Sequence, residues 1–237
     1  MTKKSKSYLD IDRKKQNNQP QLTVANVMKK LLVSALLLAT SYETIAQTAN
    51  LKVTGAFGAQ GVCNITSTNF GTYDFGVVSS ALVKPAARTP LSPISATWTV
   101  ECSTTTSVTF STSDSQRASL VEPATLTNFG LGNVNNTGKI GHYTVTAIQP
   151  TVDGREARVF TIVGTGAIDG KPSATLGHTQ RTGWAQIVDP KLLSVGKVFK
   201  VNLDVTPTLN SETEMSGPPQ DGTQLDDGLT LTFKQGL

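Results

Sequence analysis

Ala96-Thr97-Trp98-Thr99-Val100-Glu101-Cys102 and Phe199-Lys200-Val201-Asn202-Leu203-Asp204-Val205 decide how this chain reads. In both segments apolar and polar residues alternate, so one face is apolar and the other polar, the pattern of a strand with one buried side. Shorter runs of the same kind stand at 51–57, 108–110, 143–147, 160–163, 184–188 and 229–233, and Thr is frequent in them, as expected on pleated surfaces. Turn residues punctuate the runs: Gly130-Leu131-Gly132-Asn133, Asn135-Asn136-Thr137-Gly138, Val152-Asp153-Gly154, Ile168-Asp169-Gly170, and the polar stretch from Ser211 to Gly222 with Pro218-Pro219. After Ala46 no window keeps helical spacing for three turns. A parallel α/β fold therefore lacks its helices, and one antiparallel β-sandwich over residues 47–237 is expected.

The 237 residues are 38% hydrophobic and 16% charged, with a net charge of +4. Residues 1–46 hold 8 of the 21 Lys and Arg but only 3 of the 17 Asp and Glu, which leaves 13 basic and 14 acidic residues in the body. A basic nucleic-acid footprint is thereby excluded as the main reading. The basicity belongs to a leader. Met28-Lys29-Lys30 precedes the apolar run Leu31 to Ala39 and the polar residues Thr40 to Glu43, so 28–46 reads as a signal peptide cleaved between Ala46 and Gln47. The apolar run is too short for a membrane span, which needs about 20 residues, and no span is expected in the mature chain. Residues 1–27 carry no apolar periodicity and are read as an unstructured or mis-assigned N-terminal extension, with translation starting at Met28.

Export places Cys63 and Cys102, the only cysteines, in an oxidising compartment, where pairing is favoured over metal binding or catalysis. Catalytic constellations are missing. The two histidines, His142 and His178, stand in no metal-binding spacing. Gly166 to Pro172 departs from a phosphate loop, Leu192-Leu193-Ser194-Val195-Gly196 lacks the first Gly of a nucleophile elbow, and Asp226-Asp227-Gly228 lacks the EF-hand spacing. Asn64-Ile65-Thr66 and Asn135-Asn136-Thr137 fit the glycosylation pattern. The expectation is a non-enzymatic protein with no cofactor and no metal.

Ala49-Asn50-Leu51-Lys52-Val53-Thr54-Gly55, then Cys63, Tyr73-Asp74-Phe75-Gly76, Phe129-Gly130-Leu131-Gly132, Lys139-Ile140-Gly141-His142-Tyr143, the second cysteine in Trp98 to Cys102, and the closing alternation Leu229-Thr230-Leu231-Thr232-Phe233 are the motifs of a resemblance. Over most of 49–233 the chain resembles the pilin subunits of chaperone–usher fimbriae, fimbrial-like exported proteins. The resemblance implies an immunoglobulin-like sandwich that lacks its last strand and is completed by a donated one. A periplasmic chaperone would lend that strand, an outer-membrane usher would assemble the subunit, and other fimbrial subunits would fill the groove at the cell surface by β-augmentation. On this reading Leu229, Leu231 and Phe233 form the strand that meets chaperone or subunit, and Ala49, Leu51, Val53 and Gly55 are donor or first-strand positions. The alternative from another class is a secreted carbohydrate-binding module, with Trp98, Trp184, Tyr73 and Tyr143 as stacking candidates; strand parity with Cys102 puts Trp98 in the core instead.

Overall fold

The computed structural model describes residues 61–220, 222–225 and 228–237. The first strand-like run at 51–57, the signal peptide at 28–46, the extension at 1–27 and the pair Asp226-Asp227 lie outside the described residues. Within them the chain is all-β. The strands are β1 (Cys63–Ser67), β2 (Thr89–Pro90), β3 (Ile94–Thr106), β4 (Val108–Asp114), β5 (Phe129–Gly130), β6 (Asn133–Val134) and β7 (Gly138–Lys139), followed by β8 (Gly141–Val152), β9 (Arg155–Glu156), β10 (Arg158–Ile162), β11 (Ser173–Thr175), β12 (Arg181–Ala185), β13 (Gly196–Leu209) and β14 (Leu229–Gln235).

Two antiparallel sheets form. One runs in the order β1-β3-β13-β8-β11, with β2, β5 and β9 attached, and the other in the order β10-β12-β4-β14; β6 and β7 make a small hairpin. The two long alternating segments named first in the sequence become neighbours: β3 pairs β13 with Val100 opposite Phe199 and Ala96 opposite Leu203. Their inward residues meet those of β8, β4 and β12 in one core, where Trp184 and Phe199 pack edge-on across the sheets at 5.4 Å and Trp184 Nε1 donates to the Lys200 carbonyl. The face-to-face packing of two such sheets is that of a β-sandwich.

Local chemistry accounts for the turns. Val152 lies opposite Arg155, so Asp153-Gly154 is a two-residue hairpin loop, and both residues hold positive φ (50° and 76°) as the right-handed twist of the flanking strands demands. Asp153 also accepts from the Lys197 and Val198 amides, which hold its carboxyl below the usual range. Asn135 and Asn136 take the left-handed conformation between β6 and β7. Two expectations shift. The run 184–188 belongs to a strand that ends at Ala185, with Val188 exposed beyond it, because the chain leaves the sheet into the turn at Asp189-Pro190. Trp98 shares the inward parity of Val100 and Cys102 but is only half-buried, for a reason that lies in the edge beside it.

Candidate functional site

The long edges of the two sheets differ. At one, the chain between β10 and β11 stitches the layers together, as Val159 and Lys171 exchange two backbone hydrogen bonds of 2.8 Å. At the other edge stand β1 and β14. Each has one neighbour, β3 and β4 respectively, and no backbone hydrogen bond joins β1 to β14 among the described residues. Two rows of outward-facing amides and carbonyls thus flank a gap.

The gap is apolar and deep. Leu229, Leu231 and Phe233 point inward on β14, yet all three stay half-exposed, whereas Phe110 on the adjacent β4 is 2% exposed. Across from them Ile65, on the same face of β1 as the disulfide-bonded Cys63, is 41% exposed. A cavity of 490 Å³ opens between these side chains, floored by Tyr73, Trp98, Tyr143, Val145, Leu203 and Val205. It continues past Ile65 and Phe233 into a space of 430 Å³, and past Tyr73 and Phe75 into one of 690 Å³ beside Ile140, Leu209 and Met215. Among the described residues the space is open on one side, so it presents apolar side chains to solvent instead of enclosing a void, and covering that surface would be favourable by about 25 cal/mol per Å².

Three features hold the walls in place. Cys63 and Cys102 lie opposite one another in the β1–β3 register and are joined by a disulfide. Closing a loop of 39 residues stabilises the fold by about 4 kcal/mol in the chain-entropy description, and it fixes a five-residue rim strand that has one neighbour among the described residues. On the other rim, the Phe233 ring packs against Phe110 at 5.0 Å. On the floor, Trp98 Nε1 donates to Tyr73 Oη at 2.9 Å and Tyr73 Oη donates to the Leu203 carbonyl at 3.3 Å. Burial pushes the Tyr73 hydroxyl above its ordinary range, the Trp98 bond opposing and the Asp204 charge adding to it, so it stays a neutral donor. Trp98 is half-buried because its ring lines this open edge instead of the closed core.

The end of the sandwich beyond the 690 Å³ space is tied by Arg88. Its guanidinium bonds Glu214 at 2.6 Å and Glu122 at 3.0 Å, and Glu214 also accepts from the Ser211 amide and hydroxyl. The Arg88 hydrogen bond leads in holding the Glu214 carboxyl down at about 2. Burial, with the Arg88 charge second, lowers the nearby His142. These contacts fix the loop that runs on toward β14.

The sequence-derived residues divide cleanly. Cys63, Leu229, Leu231 and Phe233 stand on the rims of the groove, with Cys102 buried on β3 and bonded to Cys63; Ala49, Leu51, Val53 and Gly55 lie outside the described residues. Of the aromatic stacking candidates, Trp184 and Tyr143 are buried, and Trp98 and Tyr73 bond each other on the groove floor. His142 lies in β8, and His178 Nδ1 accepts from the Asp114 amide. Among the described residues no group of His, Cys, Asp or Glu is arranged to hold a metal ion, and no helix is long and apolar enough to cross a membrane. Sequence reasoning did not single out Arg88, Glu122 and Glu214, which are far apart in the chain and carry no local signal. Tyr73 had one, as part of the Tyr-Asp-Phe-Gly motif. No family model matches the chain, and no curated protein matches it significantly.

Proposed function

We propose that this protein is a structural or minor subunit of a chaperone–usher fimbria, a pilin-type immunoglobulin-like sandwich that lacks one strand and takes part in adhesion once assembled. The groove between β1 and β14 carries the reading. Its two backbone edges, which pair with no other strand among the described residues, suit an added strand, and its apolar floor suits a strand that places alternate apolar side chains inward. Among its described lining residues only Asp74 and Lys234 are charged, and Lys234 has the outward parity of Thr230 and Thr232, so the occupant is recognised by apolar burial and ladder bonds.

In this scheme the protein has no catalytic role. After export through the periplasm, a chaperone strand fills the groove first, the outer-membrane usher receives the complex, and a segment of another fimbrial subunit replaces the chaperone strand at the cell surface. The described β-structure begins with the strand of Cys63, and the sequence from Gln47 to Gln60 precedes it. Within that stretch, Leu51 to Phe57, with alternation at Leu51, Val53, Gly55 and Phe57, matches the seven residues of β14 in length and is the candidate donor. Of the four aromatic candidates of the carbohydrate-module reading, Trp184 and Tyr143 are buried, and Trp98 and Tyr73 bond each other on the groove floor.

The test is a fusion of Ala49–Phe57, through a flexible linker, to the C-terminus of the mature chain. The fused chain is expected to be a soluble monomer that unfolds cooperatively, while a fusion with Leu51, Val53 and Phe57 replaced by Ser stays dependent on a chaperone. Equal solubility of the two fusions would refute strand complementation.

A further inference from the structure

The groove is open along its length but is bridged at one end. β14 places Leu229, Leu231 and Phe233 inward, and the next inward residue is Gln235. Where the alternation calls for another apolar side chain, an amide crosses from rim to rim: Gln235 Nε2 donates to the Gly61 carbonyl and approaches Cys63 Sγ at 3.3 Å. Both anchorages are built in. Just past Gln235, the Gly236 amide donates to the Ser107 carbonyl and the Gly236 carbonyl accepts from Thr109, which fixes the end of β14 on β4. Opposite, Val62 and Ser103 bond reciprocally, and Gly61 lies so close to β3 that an added Cβ would fall 2.1 Å from Thr104 Oγ1. A side chain at position 61 would have to displace the Thr104 and Ser103 side chains.

We propose that Gln235 is the end-stop of the groove, a positioning residue that sets how far an inserted strand reaches and therefore its register. This rests on the strand-acceptor reading and deepens it. A strand slipped by one residue turns its apolar side chains out of the floor, and an apolar groove without a fixed end distinguishes poorly between registers two residues apart, since parity is kept. The clasp removes that degeneracy. The last inward side chain of the occupant sits in the 430 Å³ space bounded by Ile65, Val100, Val108 and Phe233, directly before the Gln235 amide. Beyond it the occupant's backbone has to leave the groove.

The experiment uses the mature chain refolded with an excess of a synthetic peptide carrying the sequence Gln47–Gln60, and reads the peptide's protected amides by hydrogen–deuterium exchange. The comparison is wild type against Gln235→Ala and Gln235→Met, the second filling the same volume without a donor. In wild type the protected run stops opposite Phe233. In both variants it lengthens by two residues or splits into two registers. An identical protected run in all three proteins would overturn the end-stop while leaving the groove as strand acceptor. Absence of protection in wild-type complexes would overturn both.

Discussion

Replacing Phe233 with Ala separates a rim residue of an incomplete fold from an ordinary core residue. Among the described residues the ring is half-exposed and leans on Phe110 at 5.0 Å. Removing a fully buried Phe costs about 3–5 kcal/mol, so about half of that, roughly 2 kcal/mol, is expected for the unoccupied subunit. A strand laid between β1 and β14 covers the exposed half, and the same substitution then costs about 4 kcal/mol. The difference of about 2 kcal/mol appears as strand binding weakened roughly 30-fold. The assay is chemical denaturation of wild type and variant with and without saturating Gln47–Gln60 peptide, together with titration of the peptide. Equal destabilisation in both states, with unchanged peptide affinity, would refute the assignment of Phe233 to the rim of a strand-acceptor groove.

Replacing Cys63 and Cys102 together by Ser is expected to lower stability by about 2–4 kcal/mol and to loosen β1 first, seen as faster amide exchange at Ile65 than at Val100. Glu214→Gln removes the anionic partner of Arg88, and because both side chains are partly exposed the loss is about 1–2 kcal/mol at neutral pH. The folded-state carboxyl lies at about 2 against an ordinary 4.5, so its contribution is complete above the ordinary value and is lost as pH falls toward the folded one. Denaturation curves of wild type and variant should differ at pH 7 and converge near pH 2; a constant difference contradicts the charge pairing. The mature N-terminus is expected at Gln47, and an intact mass that retains Met28 to Ala46 in exported material would contradict cleavage there.

The alternation in the sequence carried most of the sheet architecture. β3 and β13 were legible because their inward positions are filled by large apolar residues at strict period two, and the Asp153-Gly154 hairpin because only a few residue types tolerate its dihedrals. The end of β12 was misplaced because Ile187 and Val188 continue the apolar run past the point where the chain turns out of the sheet. Short strands such as β2, β5 and β11 have too few residues to show a period. At the site, Leu229, Leu231 and Phe233 were marked by their alternation, and only the resemblance implied a groove; alternation alone does not say that an inward face stays half-exposed among the described residues. That follows from which strands become edges, and the half-exposure of Trp98, a residue whose parity promised the core, is its consequence. The Gln235 clasp is invisible for the same reason: its partners, Gly61 and Cys63, sit at the opposite end of the described chain.

The most direct measurement of the central claim is sedimentation velocity and equilibrium unfolding of the wild-type mature chain produced without any strand donor, side by side with the same chain produced with a donor strand supplied. The unaided chain is expected to aggregate or to form oligomers by lending strands among copies, and to become a soluble, cooperatively unfolding species only when a strand is supplied. A unaided chain that is already a soluble monomer with a single cooperative transition, unchanged by the donor, would contradict the incomplete sandwich.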